Sequence, residues 1–198
     1  MYILSKKNKG CYKEKGSIFH SIVYPINNVD IVKSLLLDIK INNPNANHIC
    51  YGYRVLREKC IDEYASDSGE PTGSAGLPIL KVLKQNKIIN SVIFVIRYFG
   101  GKKLGISGLI HAYTSAAKDS IEGLSLKAWY KKEYIYISYE YELEGQVASI
   151  IQKNDVNIIE EKFEKKITLK LELNKEYMDS FIIGIKEKTS NRIIINKK

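Results

Sequence analysis

The sequence predicts an α+β protein built from two domains, residues 1–130 and 131–198. Short segments of alternating apolar residues are interleaved with segments of helical spacing, so strands and helices mix along the chain. The pattern changes near residues 126–132, and from there the predicted order is β-α-β-β-α-β, which is the order of the ferredoxin-like unit. A length of 198 residues fits one large domain or two small ones.

The first half of residues 1–130 is predicted to hold two strands and one helix. Residues 17–24 are a largely apolar run ended by Pro25, which indicates a strand. Asn27 or Asn28 can cap the next helix. The apolar stripe of that helix consists of Val29, Val32, Leu35, Leu36 and Ile39. Residues 48–56 alternate as a second strand, and residues 57–65 are interpreted as a polar connection.

The second half of this region is predicted to hold helix, strand and helix. Thr72 or Ser74 is the predicted N-cap of the first helix, because hydroxyl side chains accept from free backbone N–H groups. The apolar face of this helix consists of Leu77, Leu80 and Leu83. Residues 88–96 are apolar on both faces, which predicts a central, covered strand. Ser107 is the predicted cap of a helix to about residue 124, with an apolar side formed by Ile110, Tyr113, Ala117, Ile121 and Leu124.

Residues 131–198 are predicted to form four strands and two helices. The predicted strands are 133–143, 156–163, 166–173 and 191–195, and the helices are 145–153 and 175–188, the second capped by Asn174. This region has no glycine-rich loop, cysteine or cluster of metal ligands in its sequence. We therefore expect a packing or binding module without chemistry of its own.

Charge and hydropathy limit the class of partner. Of the net charge of +9, +8 lies in residues 1–130, and a basic face attracts polyanions such as RNA. The alternative is that a lysine-rich composition only provides solubility. No apolar run reaches the roughly 18 residues of a membrane span, and the N-terminus lacks the pattern of a secretory signal. We expect a cytoplasmic protein with no membrane partner and no DNA-specific binding.

The cysteines do not indicate a metal or disulfide site. The chain has three cysteines, an odd number, and no CxxC spacing among Cys11, Cys50 and Cys60. We therefore expect reduced thiols and no bound metal. His48 and Cys50 lie two residues apart on one face of a predicted strand. A half-buried histidine with satisfied hydrogen bonds is a commoner role for such a residue than a catalytic dyad.

Two glycine-rich segments are the candidate site. The second glycine loop, residues 97–108, leads into a helix whose free N–H groups can hold a phosphate. The residues predicted to bind an anion or nucleic acid are Arg97, Gly100, Gly101, Lys102, Lys103, Gly105 and Ser107. The loop matches neither the Walker motif nor GxGxxG, so no nucleotide cofactor is expected. The aromatic pair Tyr98 and Phe99 either stacks on bases or anchors the loop in the core.

The first glycine loop, residues 66–76, carries two carboxylates. Asp67 and Glu70 can bind a divalent ion, serve as general acid and base, or cap backbone amides and pair with Arg97 and Lys102. The structural alternative is favoured, because ion-pair networks are commoner than catalytic pairs. The residues expected only to shape this loop are Gly69, Pro71, Thr72, Gly73 and Gly76.

These segments resemble a known family signature. Residues 67–80 (DSGEPTGSAGLPIL), 97–105 (RYFGGKKLG) and 48–53 (HICYGY) are similar to the motifs of the YigZ/IMPACT family. The resemblance covers roughly residues 15–125, and residues 131–198 look like the small C-terminal domain that bacterial members add. The chain departs from the usual pattern at Ile49, Ser68, Ser107 and His111.

The resemblance implies both a fold and a role. It implies that residues 1–130 have the βα sandwich of ribosomal protein S5 domain 2 and that residues 131–198 are ferredoxin-like. It also implies a non-enzymatic, translation-linked regulator that binds RNA or the ribosome and can have a protein partner in translation. An enzyme acting on a phosphorylated or nucleotide-like ligand, with Asp67 or Glu70 as base or metal ligand, is the alternative. A third hypothesis is that partners bind the C-terminal sheet.

Overall fold

The computed structural model describes residues 1–58 and 60–197, and its architecture is mixed α/β with three sheets. The chain divides into two compact units, Met1–Trp129 and the residues from Tyr130 onward. Within the described residues, no helix is both long enough and apolar enough to cross a membrane.

The first unit holds seven strands and three helices. In chain order these are β1 (Tyr2–Leu4), β2 (Asn8–Glu14), β3 (Ser17–Pro25), α1 (Asp30–Asn42), β4 (His48–Leu56), β5 (Ile61–Ser66), α2 (Gly76–Gln85), β6 (Ser91–Tyr98), α3 (Gly105–Ile121) and β7 (Leu126–Ala128). Five strands form an antiparallel sheet in the order β2-β3-β6-β4-β5, and β1 pairs with β7.

Strand β6 is the centre of the five-stranded sheet. Its residues from Ser91 to Arg97 are buried, because both faces of the sheet are covered. Ile93 and Val95 pack in the core that includes residues of α2 and α3. Val92, Phe94 and Ile96 pack in a second core with residues of α1. The prediction of a central, covered strand is confirmed, although the strand begins at Ser91 rather than at residue 88.

The predicted N-caps of the three helices in this unit have different outcomes. Asn28 Oδ1 accepts from the N–H groups of Asp30 and Ile31 at 3.0 and 3.2 Å, so one of the two predicted caps of α1 is confirmed. The predicted caps of the other two helices in this unit are wrong. Helix α2 begins at Gly76, beyond Thr72 and Ser74, and α3 begins at Gly105, which leaves Ser107 inside the first turn.

Two predicted apolar faces also need correction. Leu77 is 58% exposed and Ile110 is 40% exposed, so neither lies in the core. The buried face of α3 consists instead of Leu109, Ala112, Tyr113, Ala116, Ala117 and Ser120. The helix ends at Ile121, because Glu122 is extended. Leu77 and Ile110 are therefore available on the surface of this unit.

The interpretation of residues 57–65 as a polar connection is wrong from Ile61 onward, where β5 begins. Residue 59 lies outside the described residues. The polar side chains of edge strand β5 pair with residues of β4. Arg54 Nε lies 2.9 Å from Glu63 Oε1, and the rings of Tyr53 and Tyr64 stack. Strands β1, β2 and β7 were not predicted either, since two have three residues and β2 exposes its charges at a sheet edge.

The second unit has the predicted order of elements. These are β8 (Lys132–Tyr139), α4 (Glu144–Lys153), β9 (Asn157–Phe163), β10 (Ile167–Asn174), α5 (Met178–Lys188) and β11 (Ile194–Lys197). The strands form an antiparallel sheet in the order β11-β8-β10-β9. Alternate residues of β8 and β10, such as Ile135 and Leu171, pack with α4 and α5 in one apolar core.

Three boundaries in this unit differ from prediction. Strand β8 ends at Tyr139, and a short 3-10 helix over Tyr141–Leu143 precedes α4. Asn174 does accept from the N–H of Glu176 at 3.0 Å, but the turn that it caps is a 3-10 helix and α5 begins at Met178. The last strand begins at Ile194 rather than at residue 191.

Candidate nucleic-acid interface

Sheet register brings the two glycine loops together. The first loop leaves β5 beside Tyr51 of β4, and the second leaves β6 beside His48 of the same strand. Both therefore start at one end of β4, and each leads into a helix, α2 or α3. The pairing of β4 with both neighbours explains why segments thirty residues apart in the sequence form a single surface.

Asp67 is the cap of α2. Its Oδ2 accepts from the N–H of Gly73 at 2.8 Å, and its Oδ1 accepts from Ala75 and Gly76 at 3.0 and 2.8 Å. Burial alone would raise the pKa of Asp67, but the three backbone N–H groups outweigh it and hold the pKa below its usual value. A carboxylate used in this way is a poor general base.

Glu70 and Arg97 join the two loops through a buried ion pair. Arg97 Nη1 lies 2.6 Å from Glu70 Oε1, and the two side chains are 7% and 3% exposed. Tyr113 of α3 donates its hydroxyl to the same Glu70 oxygen at 2.8 Å. Glu70 and Arg97 therefore form the ion pair that the structural alternative expects. That Arg97 also binds an anion stays a prediction.

Arg97 is also held between two aromatic rings. Its guanidinium carbon lies 5.4 Å from the ring centre of Phe19 and 5.5 Å from that of Phe99. Phe19 is fully buried, whereas Phe99 is 46% exposed. Among the described residues, Arg97 Nε is the buried side-chain nitrogen or oxygen that lacks a hydrogen-bond partner. The arginine thus keeps one unused donor beside the loops.

His48 and Cys50 bond to the first glycine loop rather than to each other. His48 Nδ1 lies 3.0 Å from the carbonyl oxygen of Ser68. Cys50 Sγ lies 2.9 Å from the carbonyl oxygen of Asp67 and 3.4 Å from the hydroxyl of Tyr113. Burial, reinforced by nearby carboxylates, raises the pKa of Cys50 to about 12. A thiol with that pKa is not a nucleophile at neutral pH.

Two glycines of the loops are required by close packing. A Cβ on Gly100 would lie 1.9 Å from the carbonyl carbon of Gly16, and a Cβ on Gly76 would lie 2.6 Å from the nitrogen of Ser66. The N–H of Gly100 donates to Ser17 Oγ at 3.1 Å. Gly100 was predicted to bind an anion, but its N–H is already used within the protein.

A cleft of about 520 Å³ lies beside the second glycine loop. Its lining residues are Asn47, His48, Glu70, Pro71, Arg97, Phe99, Lys103, Leu104, Gly105, Ile106 and Leu109. Three residues predicted to bind an anion therefore line it, namely Arg97, Lys103 and Gly105. Gly101, Lys102 and Ser107 are exposed but are not part of its lining.

The start of α3 opens on this cleft. Gly105 and Ile106 line it, and no side chain of the described residues caps the helix at Leu104. Lys102 and Lys103 are exposed, and no described carboxylate lies within ion-pair distance of either. Free N–H groups at a helix start attract anions, and the two lysines add charge.

Several lining residues were not predicted. Asn47 Oδ1 accepts from the N–H of Phe99 at 2.7 Å and so fixes the second loop, although Asn47 lies 52 residues earlier in the chain. Tyr113 was assigned only to an apolar helix face, but a buried tyrosine hydroxyl needs a partner, and this was the signal available in the sequence. Among the described residues, no three His, Cys, Asp or Glu side chains are grouped as metal ligands.

Both glycine loops lie in a region that matches a known protein family. The sequence matches the Impact N-terminal domain over residues 15–121, which is more than half of the chain. The chain belongs to the IMPACT family. The match includes both glycine loops and four strands of the five-stranded sheet, β3, β4, β5 and β6, whereas β2 ends before the match begins.

Bacterial IMPACT proteins are similar over most of the chain. An IMPACT family member of Haemophilus influenzae is 27% identical over 184 residues, which cover 91% of this chain and 88% of that protein. YvyE of Bacillus subtilis is 28% identical, with 78% and 70% covered. YigZ of Escherichia coli is 24% identical, with 80% and 78% covered.

One solved structure shows the fold of this IMPACT chain. The crystal structure of a protein described as hypothetical superposes with a TM-score of 0.65 at 21% identity, and it covers all of this chain and 96% of that one. The two-domain translational regulator Yih1 covers 62% of this chain and 47% of its own, with 18% identity and a TM-score of 0.37. A similarity as low as the second does not establish a shared fold.

Proposed function

We propose that this IMPACT family chain is a non-enzymatic, translation-linked cytoplasmic protein that binds RNA or the ribosome through its glycine-loop face. The observation that carries the proposal is the uncapped start of α3, which opens on the cleft beside Lys103 and the exposed Lys102. Family membership supports the link to translation, and the charge of +8 in residues 1–130 supports a polyanionic partner.

We also infer the two folds that family membership implies. The covered antiparallel sheet of the first unit supports the S5 domain 2-like βα sandwich. The order β11-β8-β10-β9 places the first and third strands of the second unit at its centre, which supports the ferredoxin-like assignment. The proposed domains are residues 1–130 and 131–198.

The geometry gives less support to an enzyme. Asp67 is occupied by three backbone N–H groups and its pKa is lowered, which weakens it as a base. Glu70 is bonded to Arg97 and Tyr113. A screen of nucleotides and RNA with Mg²⁺ or Mn²⁺ tests this alternative. Activity that is abolished by Asp67→Ala or Glu70→Ala, in variants that circular dichroism shows to be folded, would favour it over the proposal.

Salt dependence tests the proposed RNA binding. Replacing Lys102 and Lys103 with Ala should weaken binding of a single-stranded RNA and reduce the slope of log affinity against log salt by about 1.4, since each phosphate contact contributes about 0.7. The measurement is fluorescence anisotropy across a salt series.

The matched control removes the same charge from the opposite face of the sheet. Lys33 and Lys40 are exposed on α1, and their double Ala variant should leave the slope unchanged. Binding that is independent of salt, or equal loss in both double variants, would contradict the proposed site.

A further inference from the structure

The exposed ring of Phe99 is held through its backbone and through one face of the ring. Its backbone N–H donates to Asn47 Oδ1 at 2.7 Å. One face of the ring is covered by the guanidinium of Arg97 at 5.5 Å, and Arg97 is itself fixed by Glu70 and by the buried ring of Phe19. An aromatic side chain that only anchored its loop would have its own ring buried, yet 46% of Phe99 is exposed.

Phe99 is one of the residues that line the cleft. The cleft walls near it are apolar and include Leu104, Ile106 and Leu109, while Lys103 provides a cation. A volume of about 520 Å³ falls within the range of small-ligand sites. The ligand that matches an apolar slot, an aromatic platform and an anion-attracting helix start is a flat aromatic group attached to a phosphate.

We propose that Phe99 is a stacking platform for one unpaired base of single-stranded RNA, with the phosphate of that nucleotide beside Lys103 at the start of α3. The inference rests on the proposed function and adds the form of RNA recognised. Bases in a duplex are stacked on their neighbours and cannot lie on Phe99, whereas single strands offer unstacked bases. The protein should therefore prefer single-stranded RNA to a duplex of the same sequence.

Phe99→Leu removes the aromatic platform and keeps an apolar side chain. Alanine substitution of a stacking aromatic costs about 5-fold to 150-fold in affinity per base, and Phe99→Leu should cause a loss in this range. The slope of affinity against salt should not change, because no charge is removed. Phe163→Leu, at a ring 60% exposed on β9, is the matched control and should bind like the unmodified chain.

Phe99→Trp provides a direct signal. A base stacking on the new indole should quench its fluorescence, measured against the unmodified chain, which contains Trp129. An abasic oligonucleotide with the same number of phosphates should bind more weakly and should not quench. Thermal unfolding of both variants shows whether each is folded before its affinity is interpreted.

The outcomes separate the two proposals. If the unmodified chain binds neither RNA nor ribosomes, the proposed function fails, and the stacking inference fails with it. If it binds RNA but Phe99→Leu has unchanged affinity, or if abasic and duplex RNA bind as well as the single strand, the stacking inference alone is overturned. Loss of affinity in Phe99→Leu but not in Phe163→Leu, with quenching by base-containing RNA, supports both.

Discussion

At the scale of single residues, the charges of the signature segments are mainly part of the protein's own framework. Glu70 and Arg97 are buried together, and Tyr113 supplies a further hydrogen bond to the carboxylate. Removing two charges from water is costly, and their attraction offsets this only when both partners are present. The loss of one partner therefore leaves an uncompensated buried charge.

Glu70→Ala should lower the free energy of unfolding by about 3 to 5 kcal/mol, because Arg97 stays buried without its partner. Urea denaturation measures the change. Glu122→Ala, at an exposed glutamate after α3, is the control and should change stability by no more than about 0.5 kcal/mol. A Glu70 variant as stable as the Glu122 variant would contradict the structural role of the ion pair.

At the scale of elements, the start of α2 is capped by a side chain that lies well before the helix in the sequence. Asp67 lies nine residues before Gly76 and still accepts from three N–H groups around the helix start. Asp67→Asn keeps the size of the side chain but replaces one acceptor oxygen with a donor amide. The variant should lose about 1 to 2 kcal/mol at neutral pH.

The contribution of Asp67 should also depend on pH. Its pKa is lowered in the folded chain, so its stabilisation is complete above the unfolded value of about 3.9 and is lost as pH falls through the folded-state pKa. The stability difference between the unmodified chain and Asp67→Asn should therefore shrink in acid. Urea titrations at several pH values test this, with Asp38→Asn on α1 as an exposed control. A constant difference down to the acid limit of folding would contradict it.

Strongly periodic elements were predictable, and those that depend on distant partners were not. Strand β8 alternates because only one of its faces is buried, and β6 is apolar throughout because both of its faces are buried. In each case the local sequence pattern was sufficient to predict the strand. Strand β5 has no such pattern, because its polar residues are satisfied by β4 across the sheet. Both glycine loops were recognised, but the Glu70–Arg97 pair that joins them links residues 27 apart in sequence. The hydrogen bond from Tyr113 to Glu70 links residues 43 apart.

At the scale of the whole molecule, thiol chemistry reports folding. Cys11 and Cys60 are exposed, whereas Cys50 is buried and has a pKa of about 12. In the folded chain, iodoacetamide should modify two thiols rapidly and the third only as the first unit opens. Mass spectrometry counts the modifications with time, and Cys50→Ala should remove the slow phase. Three thiols reacting at one rate would contradict the burial of Cys50.

The ion pair of Glu70 and Arg97 has a practical consequence for genetics. A deep mutational scan that selects for RNA binding would score both positions as essential, although the contacts that explain this are within the protein. Such scores would reflect the abundance of folded protein rather than a lost ligand contact. A parallel selection for abundance would separate these positions from Phe99 and Lys103, whose substitution should spare protein levels and reduce only binding.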